Sequence, residues 1–228
     1  MTGALDAVVL AGGTALRMGG VSKPDVLLAG RRLLDHVLEG IGGLRASGVI
    51  PPGRTVVVCP EDVALPEGVL RALEDPPLGG PVAGIAAGLA ALAQGGGPVG
   101  AAPVTAVLTC DAPGAPAALP ALLGALEGER AGAGADGACA RAEDHAQYLL
   151  GAYRTLALRR AVAPGGRPLR DVAVRRALGA LRVREVTGTA DAAADLDTWE
   201  QVRAWRGRGR TAPPHWSARI LTQRVPPQ

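Results

Sequence analysis

Short apolar runs alternate along this chain with stretches whose apolar residues recur every three or four positions. Asp6–Leu10 (DAVVL) is an apolar run closed by glycines, the pattern of a buried strand. Leu33, Leu34, Val37, Ile41 and Leu44 follow at helical spacing and predict an amphipathic helix over Arg32–Ala46. Thr55–Cys59 (TVVVC) reads as a second strand and Val69–Leu73 as a short third, ending at Glu74-Asp75. Pro81 then opens a helix carrying Val82, Ile85, Leu89 and Leu92, since proline fits a first helical turn. Val104–Thr109 is a strand running into Cys110-Asp111, and Pro116–Leu126 a helix. Gly137–Arg141 and Gln147–Tyr153 read as strands, the second followed by a helix from Arg154. Leu169–Leu181 reads as helix, Arg182–Val186 as strand and Thr198–Trp205 as a last helix.

Strand–helix alternation of this kind predicts a mostly parallel sheet between two helical layers, with ligands outside the carboxyl ends of the strands. The glycine-rich stretch after Leu10, Glu74-Asp75, Asp111 and the segment around Asp195–Asp197 fall at such ends. The pattern contains no internal repeat and predicts one domain over residues 1–206, followed by an irregular basic tail over 207–228.

Composition narrows the function classes. With 228 residues, 48% of them hydrophobic, the chain is long enough to bury a sizeable core. A net charge of +3 suits an anionic small substrate and is too weak to argue nucleic-acid binding. Cys59, Cys110 and Cys139 lie far apart, which argues against a disulfide framework and against zinc. No apolar run of about 18 residues predicts a membrane span, so the expected setting is the cytoplasm. Of the 24 basic residues only Lys23 is a lysine, so whatever bias drove the chain to arginine spared this position.

Lys23 closes the stretch LAGGTALRMGGVSKP, Leu10–Pro24. Its glycines match neither the dinucleotide spacing, which disfavours a nicotinamide oxidoreductase, nor that of the nucleoside-triphosphate hydrolase loop. Glycines still let backbone N–H groups approach phosphates, and Arg17 and Lys23 add positive charge. A tight turn with incidental charges fits the same stretch. Asp111, with Pro113 stiffening the turn after it, reads either as a hard-oxygen magnesium ligand or as an Asx-turn aspartate. Gly79-Gly80-Pro81 either lets backbone approach a base or ribose or is plain helix initiation. Asp197-Thr198-Trp199-Glu200 is a capping-box pattern with Asp197 as cap, which leaves a role in ligand binding open. His36 falls on the polar side of its helix and is expected at the surface; Trp199 and Trp205 are expected as core or interface anchors. No serine or cysteine has a partner that would make it a nucleophile.

The stretch LAGGTALRMGGVSKP resembles the signature L-A-G-G-x-x-x-R-M-G-x-x-K of the molybdenum cofactor guanylyltransferase-like nucleotidyltransferases. The resemblance continues in order through LEDPPLGGPVAGI (Leu73–Ile85), LTCDAP (Leu108–Pro113), QYLLGAYR (Gln147–Arg154), RPLR (Arg167–Arg170) and DLDTWEQVRAW (Asp195–Trp205). It implies a three-layer, Rossmann-like nucleotidyltransferase fold of the GT-A-like kind with a mostly parallel mixed sheet. It also implies Mg²⁺-dependent transfer of a nucleoside monophosphate, GMP from GTP first, to the terminal phosphate of a molybdopterin-type cofactor, with release of pyrophosphate. Leu10, Ala11, Gly12, Gly13, Asp75 and Gly80 would contact the nucleotide, Arg17 and Lys23 would hold its triphosphate, and Asp111 would hold the magnesium. Gln147, Arg170, Asp195 and Asp197 would face the acceptor. The expected partners are therefore the nucleotide and a phosphorylated small molecule, with transient contact to enzymes that receive the cofactor, and neither nucleic acid nor membrane. The rivals are cytidylyl transfer to another small phosphorylated acceptor, and a non-catalytic GTP-binding adaptor. Ala15 stands where many members have Ser, Tyr148 where they have Pro, Pro168 where they have Ser and Trp199 where they have Pro. Most of these departures gather in the acceptor-facing half.

Overall fold

The apolar run at the start of the chain lies in the middle of a sheet, buried on both faces as its lack of alternation requires. In the computed structural model, which describes residues 3–12, 14–15, 21–94, 101–128, 134–142, 145–189 and 191–205, the elements follow in this order. Strand β1 (Leu5–Leu10) leads into two small ribbons, β2 (Thr14–Ala15) with β3 (Val21–Ser22) and β4 (Leu27–Leu28) with β5 (Arg31–Arg32). Helix α1 (Leu33–Ala46), β6 (Thr55–Val58), β7 (Leu70–Ala72), α2 (Gly80–Gln94), β8 (Val104–Thr109) and α3 (Leu119–Glu127) follow. The C-terminal part holds β9 (Gly137–Ala142), β10 (His145–Arg154), α4 (Thr155–Val162), α5 (Val174–Leu178), β11 (Val183–Val186) and α6 (Trp199–Ala204).

Seven strands form one sheet in the order β11-β9-β10-β8-β1-β6-β7. β1 pairs in parallel with β6 and β8, and β6 with β7, while β10 runs antiparallel to both of its neighbours. The sheet is therefore mixed and mostly parallel, the α/β architecture read from the alternation. Its two faces carry separate cores. Val37 and Ile41 of α1 and Leu119, Leu122 and Leu126 of α3 are buried in one cluster with Leu5, Ala7 and Val9. Val82, Ile85 and Leu89 of α2 and Leu158 and Val162 of α4 form another around Tyr153.

Two elements differ from expectation. The periodic stretch Leu169–Leu181 is helical only over Val174–Leu178. Leu169, Val172 and Leu181 still pack on the second cluster, but Asp171 takes a left-handed backbone (φ 54°) that no α-helix continues through. α6 is capped by Thr198 and not by Asp197: the Thr198 side chain accepts from Gln201 N–H and the Gln201 side chain reaches back to the Thr198 backbone. The tail over 207–228 lies outside the described residues. Among the described residues, no helix is long and apolar enough to cross a membrane.

Candidate active site

The glycine stretch does not turn straight from strand into helix. Leu10 and Ala11 still belong to the sheet, where Ala11 N–H donates to Val58 O (2.9 Å) and Leu10 O accepts from Cys110 N–H (3.0 Å). Gly12 follows, and the backbone then folds into the β2–β3 ribbon. Gly13 and Arg17 lie outside the described residues. The ribbon delivers the chain to a short 3₁₀ turn, Lys23–Asp25, with Pro24 buried beneath it. Ser22 Oγ donates to Asp25 (2.6 Å), and Arg32 ties the same loop to Asp25, Asp35 and the carbonyl of Ala64. Rigid surroundings of this kind matter because lysine is a long, flexible point charge.

Lys23 reaches the carboxyl edge of the sheet. Its Nζ lies 2.5 Å from Asp111 Oδ2 and 2.5 Å from Asp197 Oδ1. Asp111 follows directly on β8, and Leu196 N–H donates to its backbone carbonyl (2.9 Å), so three distant stretches of chain meet here. The side chains of Lys23 and Asp111 are 18% and 16% exposed, enough to admit a ligand and little enough for charge to count. Burial alone would draw the Lys23 ammonium below its ordinary pKa. The hydrogen bonds and charges of Asp111 and Asp197 outweigh it, raise the pKa well above that value and keep the group cationic.

Asp195 completes the cluster. It lines the cavity beside Asp111. Loss of solvation, and then repulsion from Asp111 and Asp197, push its pKa up to about 6 against the pull of Lys23. Beside it opens a cavity of about 120 Å³, lined by Asp111, Gln147, Asp195, Thr109, Leu149 and Ala193 among others. The antiparallel strand β10 explains the place of Gln147. Its register, Gly151 opposite Val107, carries the strand's first residues past the carboxyl end of β8.

The donor set bears on a metal. Asp111 Oδ1 is buried with no hydrogen-bond partner among the described residues, while Oδ2 holds Lys23. An orphaned buried carboxylate oxygen calls for an explanation, and a cation is one. Among the described residues no three acidic, histidine or cysteine side chains converge as a complete cage. That suits magnesium, which takes one or two carboxylates and completes its shell with phosphate oxygens and water. Cys110, next to Asp111, is no rival nucleophile: burial, then the neighbouring carboxylate, push its thiol far up.

The remaining expected residues fall elsewhere. Asp75 is exposed on the loop after β7, and the side chain that organises the loop is Glu74, which accepts from Gly79 N–H (3.3 Å). Gly80, the first residue of α2, sits at φ +82°, a left-handed backbone that side chains resist. Arg170 does not line the cavity. It lies against this loop, with Nη2 3.3 Å from Pro77 O and its guanidinium where a Cβ on Gly79 would fall 2.6 Å from Nη1. His36 is not a free surface histidine: Nε2 is 2.8 Å from Leu28 O and the ring is 5.9 Å from that of Trp205. Trp205 packs on the cluster of Val26, Leu28, Leu33, Leu196 and Val202, whereas Trp199 is exposed. Thr109 and Leu149 were invisible as site residues in the sequence, because nothing local marks a side chain that meets its neighbours only through the fold.

The mixed α/β sheet thus brings a lysine and an aspartate face to face at its carboxyl edge. The chain belongs to the MobA-like NTP transferase domain family, whose model matches residues 7–183. Solved structures agree on the fold. Molybdopterin-guanine dinucleotide biosynthesis protein A from Archaeoglobus fulgidus is 22% identical with a TM-score of 0.57, the match covering 87% of this chain and 95% of that one. A 4-diphosphocytidyl-2C-methyl-D-erythritol synthase is 19% identical with a TM-score of 0.59, over 89% and 96%. The 2-C-methyl-D-erythritol 4-phosphate cytidylyltransferase of Thermus thermophilus is 16% identical with a TM-score of 0.54, over 86% and 94%. None of the curated proteins matches this chain significantly.

Proposed function

We propose that this nucleotidyltransferase passes GMP from GTP to the terminal phosphate of a molybdopterin-type cofactor. The observation that carries the reading is the Lys23–Asp111 contact with Asp111 Oδ1 left open beside it. An acceptor phosphate oxygen attacks the α-phosphorus, the bond from that phosphorus to the α–β bridging oxygen breaks, and pyrophosphate leaves. Two anions must be brought together, so positioning and charge neutralisation are the main tasks.

Lys23 has three N–H donors, two of which are taken by Asp111 and Asp197. The third serves a phosphate oxygen of the donor nucleotide. Asp111, with Asp195 lining the same cavity, would hold magnesium, which when bound supplies positive charge against the triphosphate. Arg17 adds a second cation from the glycine stretch, and Gly12, Gly13, Asp75 and Gly80 face the nucleotide. Gln147 and Asp195 present the acceptor across the cavity, whose apolar walls at Leu149, Leu150 and Ala115 exclude water from the reacting groups. Arg170 supports the loop ahead of α2, on the nucleotide side. The setting proposed with this reaction is the cytoplasm, and the proposed partners are the enzymes that take up the finished cofactor.

Pyrophosphate release with each of the four nucleoside triphosphates, with and without molybdopterin, tests the reading. GTP turnover that depends on molybdopterin supports it. Turnover with CTP and a sugar or polyol phosphate instead would replace it with cytidylyl transfer, and GTP binding without turnover would make the protein an adaptor.

A further inference from the structure

The C-terminal segment is joined to both charges of the site. Leu196 N–H holds the backbone of Asp111, and Asp197, the next residue, holds the ammonium of Lys23. Leu196 and Val202 are buried with Val26, Leu28 and Leu33, the residues that flank the Lys23 turn, and Trp205 covers the same cluster. Thr198 and Gln201 close the α6 cap without Asp197, which frees that carboxylate from the helix. Gln201 Oε1 accepts from Asp197 N–H (2.8 Å), so the backbone of Asp197 is fixed while its side chain turns to Lys23.

We propose that Asp197 is a positioning residue that sets the Lys23 ammonium beside Asp111, the segment Leu196–Trp205 serving as the clip that holds it there. With two acceptors fixed, the ammonium has one direction left for its third N–H, and that direction is where a phosphate oxygen binds. Without Asp197 the lysine keeps its charge but swings about Asp111, and nucleotide binding loses the orientation. This rests on the reading that Lys23 binds the triphosphate, but the geometry of the clip can be measured apart from it.

The lone lysine makes that measurement direct. In protein labelled with ¹⁵N-lysine, Lys23 gives the one side-chain ammonium signal, and carboxylates on two sides slow its exchange with water. Asp197→Asn is expected to broaden or abolish this signal, Asp197→Glu to restore it, and Glu200→Ala, at an exposed position of α6, to leave it. In steady-state assays Asp197→Asn is expected to raise the nucleotide KM about tenfold with less effect on kcat, and to add nothing in a Lys23→Ala background. A signal and KM unmoved by Asp197→Asn overturn the proposal. So does an equal loss in both backgrounds, which would mark Asp197 as merely structural. If the ammonium signal responds as expected while the wild type turns over no nucleotide, the clip stands and the nucleotidyl-transfer reading falls.

Discussion

Two aspartates at opposite edges of the sheet show how one residue type serves two purposes. Asp6, near the amino end of β1, is 2% exposed. Its Oδ1 accepts from Arg54 N–H (2.8 Å), and its Oδ2 from Ala102 N–H (3.1 Å) and the Arg54 guanidinium (3.1 Å). Asp111, at the carboxyl end of β8, holds Lys23 with one oxygen and leaves the other buried and open. A carboxylate with both oxygens engaged by the fold holds the fold together. One left short carries a standing cost in stability and stays open to a ligand. Burial alone does not separate a structural aspartate from a functional one; the accounting of its lone pairs does.

The contrast can be broken by mutation. Lys23→Ala is expected to cut turnover by on the order of a hundredfold or more, as loss of an electrostatic stabiliser does. Pyrophosphate release at saturating nucleotide checks this, and retained activity would remove Lys23 from the reaction. Asp111→Asn is expected to weaken the magnesium dependence sharply while the protein stays folded. An unchanged magnesium titration would falsify the metal assignment. Asp6→Ala should do the reverse: the N–H groups of Arg54 and Ala102 lose their acceptor, at a cost of about 1–3 kcal/mol in unfolding free energy by urea titration. Activity per folded molecule should not change, and if it falls instead, the division between the two edges is wrong.

Smaller effects sharpen the same point. Asp136, half-buried on the approach to β9, accepts from Arg182 through its guanidinium and backbone N–H, which holds its carboxyl below the usual range. A carboxyl with a lowered folded pKa contributes stability above its unfolded pKa and loses it as pH falls through the folded value. Melting curves of Asp136→Asn and wild type should therefore differ slightly at neutral pH and converge in acid; a gap that persists in acid would point to packing. Removing residues 207–228 is expected to change neither turnover nor melting temperature. Lost activity there would make the tail part of the site.

Most of the fold was legible because its central strands are largely apolar and its helices periodic; Val104–Thr109 appears with the bounds its pattern predicts. The Leu169–Leu181 stretch misled because its apolar residues are buried at helical spacing while the backbone turns through a left-handed Asp171. Asp111 and Asp195 were expected together at the carboxyl edge of the sheet, while Gln147, which lines the same cavity, was named only through the family resemblance. The role of Asp197 did not, since Asp197-x-x-Glu200 and Thr198-x-x-Gln201 are both capping-box patterns one residue apart. What decided between them is a lysine 174 residues away, and no local pattern contains that.

That separation has a consequence for how the molecule is made. A chain synthesised from its amino end makes β1, β6, β8 and both Lys23 and Asp111 well before Asp197. The contact between Lys23 and Asp197 closes a far longer loop, so it comes after the sheet and not before it. A chain that ends before Leu196 thus still lacks the last fastening of its charge cluster, the carboxylate of Asp197 on Lys23.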